Sequence, residues 1–321
     1  MFMQNLPSEV LINEVSTRDG FQSEAVFVPT DKKIEMIDRL SLLGLNKIEV
    51  TSFVSPKAIP NLRDAEEVMN RITRNPKVTY VALVPNEKGA ERALATKADE
   101  VNLVMSVSES HNLSNMRMTC AQSLAQFRRI CGLMEGSDVR INASLATSFG
   151  CPFEGIIAPE RVIDVIDQYL EIGIQSISIA DTTGMASPRQ VYELCSLVRR
   201  IYPSVDVTLH LHNTRGMGLT NALAGLSAGI NQLDASLGGI GGCPYAPGAT
   251  GNICTEDLVH MLESIGLNTN VDLMKLLEIS RELPAMLEHE TSGQVAKAGL
   301  RTETRPLSQN VIDLKNRNEK H

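Results

Sequence analysis

Eight short β-rich runs alternate with longer helical patterns along this chain, and this alternation constrains its fold more than any other feature. The runs are apolar or alternating stretches bounded by turn residues, near residues 10–16, 47–52, 78–84, 100–107, 138–146, 174–180, 205–211 and 230–236. Helical patterns lie near 30–44, 61–73, 86–96, 114–134, 158–172, 187–201, 216–228 and 254–264. Eight βα units in this order predict an α/β fold, the TIM (β/α)8 barrel. The alternative is a doubly wound parallel sheet, because periodicity does not show whether a sheet closes.

One barrel domain accounts for most of the chain. The sequence has 321 residues, and α/β barrels of about 250 residues fold as one domain. We predict this domain over residues 1–301, including a C-terminal helical extension near 271–289. From Thr302 the chain turns polar and rich in lysine and asparagine, so a loosely ordered tail is expected over 302–321.

Charge and composition exclude several classes of partner. The formal net charge is −8 at pH 7 and no cluster of lysine and arginine stands out, so we expect no nucleic-acid partner. No apolar run approaches the roughly 18 residues that a membrane span needs, and the start of the chain does not resemble a signal peptide. We therefore expect a cytoplasmic protein without a membrane partner. The six cysteines are scattered without metal-type spacing, which indicates reduced thiols.

Two histidines, His210 and His212, stand at the end of the seventh β-run. In a strand this spacing puts both imidazoles on one face, while the valines and leucines of the run take the other. Two imidazoles side by side at a strand end can hold a divalent metal ion. The alternative is a pair of histidines satisfied by hydrogen bonds.

Charged side chains also follow other β-runs, at the end of a barrel where catalytic residues lie. Asp19 follows the first run and can supply a carboxylate to a metal ion, and Arg18 beside it is a fixed cation with a fork of donors. Glu49 lies in the second run and needs a partner inside a barrel, for which Arg18 is the candidate. Asp181 puts another carboxylate at the end of the sixth run. The alternatives are an ordinary Asp-Gly turn and solvated acids.

A polar segment, residues 108–115, follows the fourth run and offers both a helix cap and a site residue. Ser114 or Asn112 is expected to cap the next helix with its side-chain oxygen. His111 is expected to face the barrel mouth.

A glycine-rich segment, residues 238–252, follows the eighth run. It is not a Walker loop, because no Gly-Lys-Ser/Thr follows its glycines, and it lacks the GxGxxG of a dinucleotide-binding turn. Its glycines permit movement and its prolines limit it, so we predict a mobile lid with the thiol of Cys243 at its centre. The alternative for Cys243 is a small buried filler.

Six motifs in order resemble the 3-hydroxy-3-methylglutaryl-CoA lyase family, which belongs to the DRE-TIM metallolyases. The motifs are Arg18-Asp19-Gly20 with Gln22, Glu49 with residues 51–57, residues 150–155, residues 181–184, His210-Leu211-His212 and residues 241–252. The similarity covers roughly residues 8–300. The resemblance implies a TIM barrel and a divalent metal ion, Mg²⁺ or Mn²⁺, held by Asp19, His210, His212 and Asn252.

The resemblance also implies a retro-Claisen cleavage of a 3-hydroxyacyl-CoA to acetyl-CoA and a keto acid such as acetoacetate. Arg18 would stabilise the enolate, Glu49 and Asp181 would support the site, and Cys243 would be the catalytic thiol of the lid. His210 or Asp181 would take the proton of the 3-hydroxyl. The expected partners are the acyl-CoA substrate and further copies of the chain in a homo-oligomer such as a dimer.

Some positions depart from the pattern of these lyases. Ser16-Thr17 replaces the usual Gly-Pro before Arg-Asp-Gly, Phe21 replaces the usual Leu, and Arg215 replaces the usual Tyr after the histidine pair. Because Gln22, Phe21 and Arg215 adjoin these motifs, we expect them to contact the substrate.

Three other functions are compatible with parts of the pattern. The first is a lyase for citramalyl-CoA or another branched 3-hydroxyacyl-CoA. The second is a Claisen-condensing acyltransferase of the homocitrate or isopropylmalate synthase type, which the Gly-Gly-Cys-Pro-Tyr lid and the short C-terminus disfavour. The third is a two-histidine, one-carboxylate iron oxygenase, which shares the ligand set but not the barrel pattern and the lid. A catalytically silent relative is disfavoured because no ligand has been lost.

Overall fold

Eight parallel strands close into a barrel in the computed structural model, which describes residues 6–242 and 251–318. In chain order the strands of the barrel and of one short hairpin are β1 (Leu11–Glu14), β2 (Lys47–Ser52), β3 (Thr79–Leu83), β4 (Glu100–Ser106), β5 (Arg140–Ala146), β6 (Gly150–Cys151), β7 (Gly155–Ile156), β8 (Ser176–Asp181), β9 (Asp206–Leu211) and β10 (Gln232–Ala235). β6 and β7 form a short hairpin outside the barrel. The other strands follow chain order around the ring, and β10 pairs with β1. The predicted TIM barrel is confirmed, and the doubly wound alternative is wrong.

Helices connect the strands. In chain order they are α1 (Thr30–Leu40), α2 (Ala65–Arg71), α3 (Glu87–Ala95), α4 (Glu109–Met116), α5 (Cys120–Met134), α6 (Pro159–Glu171), α7 (Pro188–Ile201), α8 (Gly218–Ser227), α9 (Thr255–Ser264), α10 (Leu273–Leu287), α11 (Val295–Ala298) and α12 (Gln309–Asn318). Side-chain caps define several starts: Asn86 accepts the N–H of Gly89 at 3.0 Å before α3, and Ser187 forms a capping box with Gln190 before α7. α10 is the additional C-terminal helix that the sequence predicted.

The helix predicted near 114–134 is two helices, α4 and α5. Ser108 caps α4 through its side-chain oxygen, 3.2 Å from a backbone nitrogen of the first turn, so the predicted caps Ser114 and Asn112 are wrong. Arg117 adopts a left-handed conformation with φ 56° and ends α4. Thr119 then starts α5 with a capping box. The Thr-x-x-Gln pattern that makes this box is readable in the sequence.

Apolar side chains fill the layer between the barrel and its helices. Phe127 of α5 packs against Tyr169 of α6 with ring centroids 5.8 Å apart, and both rings are buried. Leu276 and Leu283 of α10 are also buried. By contrast α12, which lies in the segment where the sequence predicted a loose tail, has no buried residue. Among the described residues, no helix is long and apolar enough to cross a membrane.

The inside of the barrel is polar. Side chains from all eight barrel strands and from the residue after β1 surround a small cavity of about 20 Å³: Asn13, Val15, Lys47, Glu49, Val81, Glu100, Asn102, Asn142, Ser178, Thr208 and Asp234. Asn142 Nδ2 lies 3.0 Å from both Asn102 Oδ1 and Ser178 Oγ. At the N-terminal ends of their strands, Lys47 Nζ lies 2.7 and 2.8 Å from the two carboxylate oxygens of Glu100. Buried polar groups in this layer are therefore paired with one another.

Replacing Lys47 by Met tests the importance of this buried ion pair. The variant leaves the Glu100 carboxylate buried without its main partner, and breaking a buried pair in this way costs about 3–5 kcal/mol of unfolding free energy. We expect that loss in urea unfolding followed by circular dichroism. In the control, Lys47→Met/Glu100→Leu, both charges are replaced and most of the stability returns. A single variant as stable as the wild type would contradict the pairing.

Candidate metal centre and substrate cavity

A widened turn after β1 places the first site residue. Residues Ser16–Gly20 form one π-helical turn, in which the N–H groups of Asp19 and Gly20 both point to the carbonyl oxygen of Val15, at 2.7 and 3.4 Å. A side chain at Gly20 would displace Ile240, because a Cβ there would lie 2.5 Å from the Ile240 side chain. The turn carries the Asp19 carboxylate into the mouth of the barrel.

Asp19, His210 and His212 meet at this mouth. One potential ligand atom from each residue lies within 4.8 Å of the others. The two histidine Nε2 atoms are 3.2 Å apart, and Nε2 of His212 lies 4.0 Å from Oδ2 of Asp19. The i, i+2 spacing thus puts both imidazoles on one face of β9 and its continuation, as the sequence predicted. Two imidazole nitrogens at this distance need a proton or a cation between them.

Asn252 joins this group from the segment after β10. A backbone bridge pairs it with His212, and its Nδ2 lies 2.6 Å from Asp19 Oδ2. Its Oδ1 is buried and has no hydrogen-bond partner in the part of the chain that the structure describes. Two imidazoles, one carboxylate and an unpartnered amide oxygen form a donor set that fits a divalent cation.

The electrostatics keep Asp19 and His212 in forms that bind a cation. Burial opposes ionisation of Asp19, but Arg18 and the two histidines outweigh it and hold the pKa of the carboxyl below its ordinary value. Burial and the neighbouring His210 lower the pKa of His212 to about 4. The His212 imidazole is therefore neutral at pH 7 and keeps a lone pair for a metal ion.

Arg18 lies between two carboxylates. Its Nε is 2.6 Å from Glu49 Oε2, its Nη2 contacts the same oxygen at 2.5 Å, and its Nη1 is 2.7 Å from Asp19 Oδ1. The predicted pairing of Arg18 with Glu49 is confirmed. Asn102 of β4 donates to the other oxygen of Glu49 at 3.0 Å. Arg18 has five N–H donors, and because three of them face these carboxylates, two remain for another acceptor.

Asp181 faces away from the cavity at the mouth of the barrel. Its neighbours Ala180 and Thr182 line the cavity, and the alternation of a strand places Asp181 on the other side. Its carboxylate accepts the N–H groups of Met185 at 2.8 Å and Ala186 at 3.1 Å, so it anchors the loop before α7. Burial raises its pKa to about 6.

The other predicted site residues have different surroundings. Gln22 lines the cavity and donates to Asp19 Oδ1 at 2.9 Å. Phe21 is 1% exposed and belongs to the hydrophobic core. Arg215 donates to two backbone carbonyls of the loop after β8, at 2.8 and 3.1 Å. Neither Phe21 nor Arg215 lines the cavity formed by the described residues. Cys243 lies outside the described residues.

A cavity of about 620 Å³ opens at the group of Asp19, His210 and His212, a volume typical of small-molecule sites. One part is lined by charged and imidazole groups: Arg18, Asp19, His210, His212 and Asp234. Another part is lined by apolar side chains around the ends of β2, β3 and β4 and before α5: Val54, Ile59, Leu83, Val84, Pro85, Val104, Met116 and Met118. His111 also lines the cavity, as predicted, and its Nδ1 lies 2.7 Å from Ser106 Oγ.

Two cavity residues, Asn102 and Asp234, were not identified from the sequence. Asn102 holds the carboxylate of Glu49, and Oδ2 of Asp234 lies 3.2 Å from Nδ1 of His210. Both are polar residues at inward positions of barrel strands. A polar residue between apolar neighbours in a predicted buried strand was the signal that could have found them.

Known proteins resemble this chain over almost its whole length. The HMGL-like family model matches residues 9–283. The hydroxymethylglutaryl-CoA lyase YngG of Bacillus subtilis is 44% identical over 275 residues, which cover 86% of this chain and 92% of that protein. The (R)-citramalyl-CoA lyase of Chloroflexus aurantiacus is 40% identical over 300 residues, which cover 90% of this chain and 95% of that protein.

A solved structure shows the same architecture. The HMG-CoA lyase of Acinetobacter baumannii, in complex with coenzyme A and 3-methylmalate, is 53% identical and superposes with a TM-score of 0.91. The match covers 94% of this chain and 98% of that chain. The family model, the sequence relatives and the superposition agree. This chain therefore belongs to the HMGL-like family, the family of the HMG-CoA lyases, which are carbon–carbon lyases.

Proposed function

We propose that this protein is a metal-dependent lyase that cleaves 3-hydroxy-3-methylglutaryl-CoA, or a closely related 3-hydroxyacyl-CoA, to acetyl-CoA and a keto acid. The observation that carries the proposal is the group of Asp19, His210 and His212 beside Arg18 in a cavity of about 620 Å³. Mg²⁺ or Mn²⁺ is the proposed ion, held by these two histidines, Asp19 and Asn252 Oδ1. Mixed oxygen and imidazole ligands suit ions of this kind.

The reaction breaks the bond between C2 and C3 of the substrate. A base removes the proton of the 3-hydroxyl, C3 becomes the ketone carbon of the keto acid, and the bonding electron pair moves to C2. The resulting enolate of acetyl-CoA then takes a proton at C2. A bound divalent cation supplies Lewis acidity that lowers the pKa of the 3-hydroxyl.

Arg18 is the residue that we propose stabilises the negative charge that develops on the thioester oxygen. Glu49 and Asp19 hold its guanidinium, and two of its N–H donors remain for a substrate oxygen. Burial disfavours the cation, but the two carboxylates outweigh burial and raise the pKa of Arg18 above its ordinary value. A fixed donor pointed at developing charge needs no rearrangement during the reaction.

Citramalyl-CoA is the second candidate substrate. The (R)-citramalyl-CoA lyase of Chloroflexus aurantiacus is as similar to this chain as the human mitochondrial hydroxymethylglutaryl-CoA lyase, at 40% identity. Release of acetyl-CoA, measured over a panel of 3-hydroxyacyl-CoA thioesters, distinguishes the two substrates by their ratio of kcat/KM. A cytoplasmic location and a homo-oligomer such as a dimer stay predictions from the sequence.

Metal removal tests the proposed cofactor. We expect chelation to abolish acetyl-CoA release and added Mg²⁺ or Mn²⁺ to restore it. His212→Ala removes one ligand, so titration calorimetry should show weaker metal binding. His260→Ala, which changes a histidine outside the site, is the matched control and should bind metal as the wild type does. Full turnover by metal-free protein would contradict the proposal.

Arg18→Gln tests the role of the guanidinium. An interaction that strengthens in the transition state affects kcat more than KM. We expect kcat to fall roughly 100-fold or more, the scale of losing one oxyanion donor. The control is Arg189→Gln, which replaces an exposed arginine on α7. A change confined to KM would assign Arg18 to substrate binding alone.

Cys243 is proposed, from its place in the glycine-rich segment, to handle the proton that the enolate takes up. Cys243→Ala and Cys243→Ser are then expected to reduce kcat severely while metal content and the circular dichroism spectrum stay unchanged. Cys131→Ser, which changes a partly buried cysteine on α5, is the control. Turnover near that of the wild type in both Cys243 variants would assign Cys243 to a packing role.

A further inference from the structure

We infer that Asp234 is a positioning residue, which holds His210 in one tautomer and turns its Nε2 toward the other metal ligands. The inference rests on the proposed function, because it concerns the orientation of one proposed ligand. Nothing in the sequence motifs singles out Asp234. Its assignment depends on a chain of contacts across β1, β9 and β10.

Strand register brings the carboxylate to the imidazole. β9 and β10 run parallel, and Asp234 is the register partner of His210. Partners in neighbouring strands point to the same face of a sheet, which here is the barrel interior. Oδ2 of Asp234 lies 3.2 Å from Nδ1 of His210, and both side chains are 14% exposed. The contact is thus set by the main chain of two strands rather than by a loop.

One amide holds the carboxylate, and a second amide holds the first. Asn13 of β1 donates from Nδ2 to Oδ1 of Asp234 at 2.9 Å, and Asn46 donates from Nδ2 to Oδ1 of Asn13 at 2.8 Å. Each hydrogen bond in this chain of contacts has one defined direction, because an amide nitrogen only donates and a carboxylate only accepts. Rotation of Asp234 would break the contacts with both Asn13 and His210.

The direction of these hydrogen bonds determines the tautomer of His210. Because ionised Asp234 only accepts, Nδ1 of His210 carries the proton and Nε2 keeps the lone pair. Nε2 is the nitrogen that faces His212, at 3.2 Å. Both ring nitrogens of His210 are then engaged, one by Asp234 and one at the metal site. His210 has no nitrogen left to accept the proton of the substrate hydroxyl.

The second histidine has no such support. Nδ1 of His212 is buried and has no hydrogen-bond partner among residues 6–242 and 251–318. The two proposed ligands therefore differ in how they are held. In the metal-free protein Nε2 of His212 donates to the lone pair on Nε2 of His210, so the tautomers of the two rings are expected to change together.

Nitrogen NMR of the metal-free protein tests the inference without relying on activity. The spectra are recorded at a pH at which both imidazoles are neutral, where ¹⁵N shifts distinguish a protonated ring nitrogen from one with a lone pair. In the wild type we expect His210 as the Nδ1–H tautomer. In Asp234→Asn, Oδ1 of the new amide accepts from Nδ2 of Asn13 and the amide nitrogen faces Nδ1 of His210, so we expect the Nδ1–H tautomer to lose its dominance. Metal affinity, measured by titration calorimetry, is expected to fall about 10–100-fold.

A double variant that exchanges the residues at 13 and 234 tests whether the tautomer of His210 can be restored. In Asn13→Asp/Asp234→Asn, the amide at 234 accepts from His210 and donates to the carboxylate at 13, which also accepts from Asn46. The direction of every hydrogen bond returns while the charge moves one residue away from the ring. We expect the Nδ1–H tautomer of His210 and most of the metal affinity to return. Asp206→Asn, which removes a carboxylate near the start of β9, is the control for loss of charge alone.

The outcomes separate this inference from the proposed function. An unchanged His210 tautomer together with unchanged metal affinity in Asp234→Asn would overturn the inference. Failure of the double exchange to restore the tautomer would also overturn it, provided that circular dichroism shows a folded protein. If the wild type binds neither Mg²⁺ nor Mn²⁺ and Asp234 still sets the tautomer, the positioning role stands and the proposed metal function fails.

Discussion

The buried charge of Arg18 must be neutralised inside the barrel, and much of the site depends on this requirement. Burying a guanidinium without partners costs several kcal/mol, so two carboxylates, Glu49 and Asp19, surround it. Glu49 in turn depends on a donor from Asn102, and Asn102 accepts from Asn142. Pairing of one cation thus determines the inward residues on several strands. We call Arg18, Glu49, Asn102, Asn142 and Ser178 the polar belt.

The cavity combines this polar group with an apolar wall. The proposed metal ligands come from the β1, β9 and β10 side of the ring, whereas the apolar lining comes from the ends of β2, β3 and β4. A substrate with a charged reacting end and a long neutral arm fits such a division. The pantetheine arm of an acyl-CoA is long and uncharged, and the acyl groups proposed for this protein carry a carboxylate, so a substrate of this class fits the division.

Much of this arrangement was predictable because it depends on neighbours along the chain. The barrel follows from eight βα units, and the imidazole pair follows from an i, i+2 spacing. The roles of Asn102 and Asp234 were not predictable in this way, because they depend on which strands lie side by side and in what register. The surroundings of Phe21 and Arg215 were missed for a related reason. Adjacency to a motif in the sequence does not determine which way a side chain points.

Relatives of this chain are expected to exchange members of the polar belt together during evolution. The side-chain oxygen of Asn102 accepts hydrogen bonds from Asn142 and Ser144, and its side-chain nitrogen donates to Glu49. An apolar residue at 102 would remove a hydrogen bond from all three partners at once, whereas coordinated replacement on β4 and β5 would not. Substitution histories at these positions should therefore covary across lineages. Such covariation would record the hydrogen-bond pattern of a barrel interior that pairwise identity alone does not reveal.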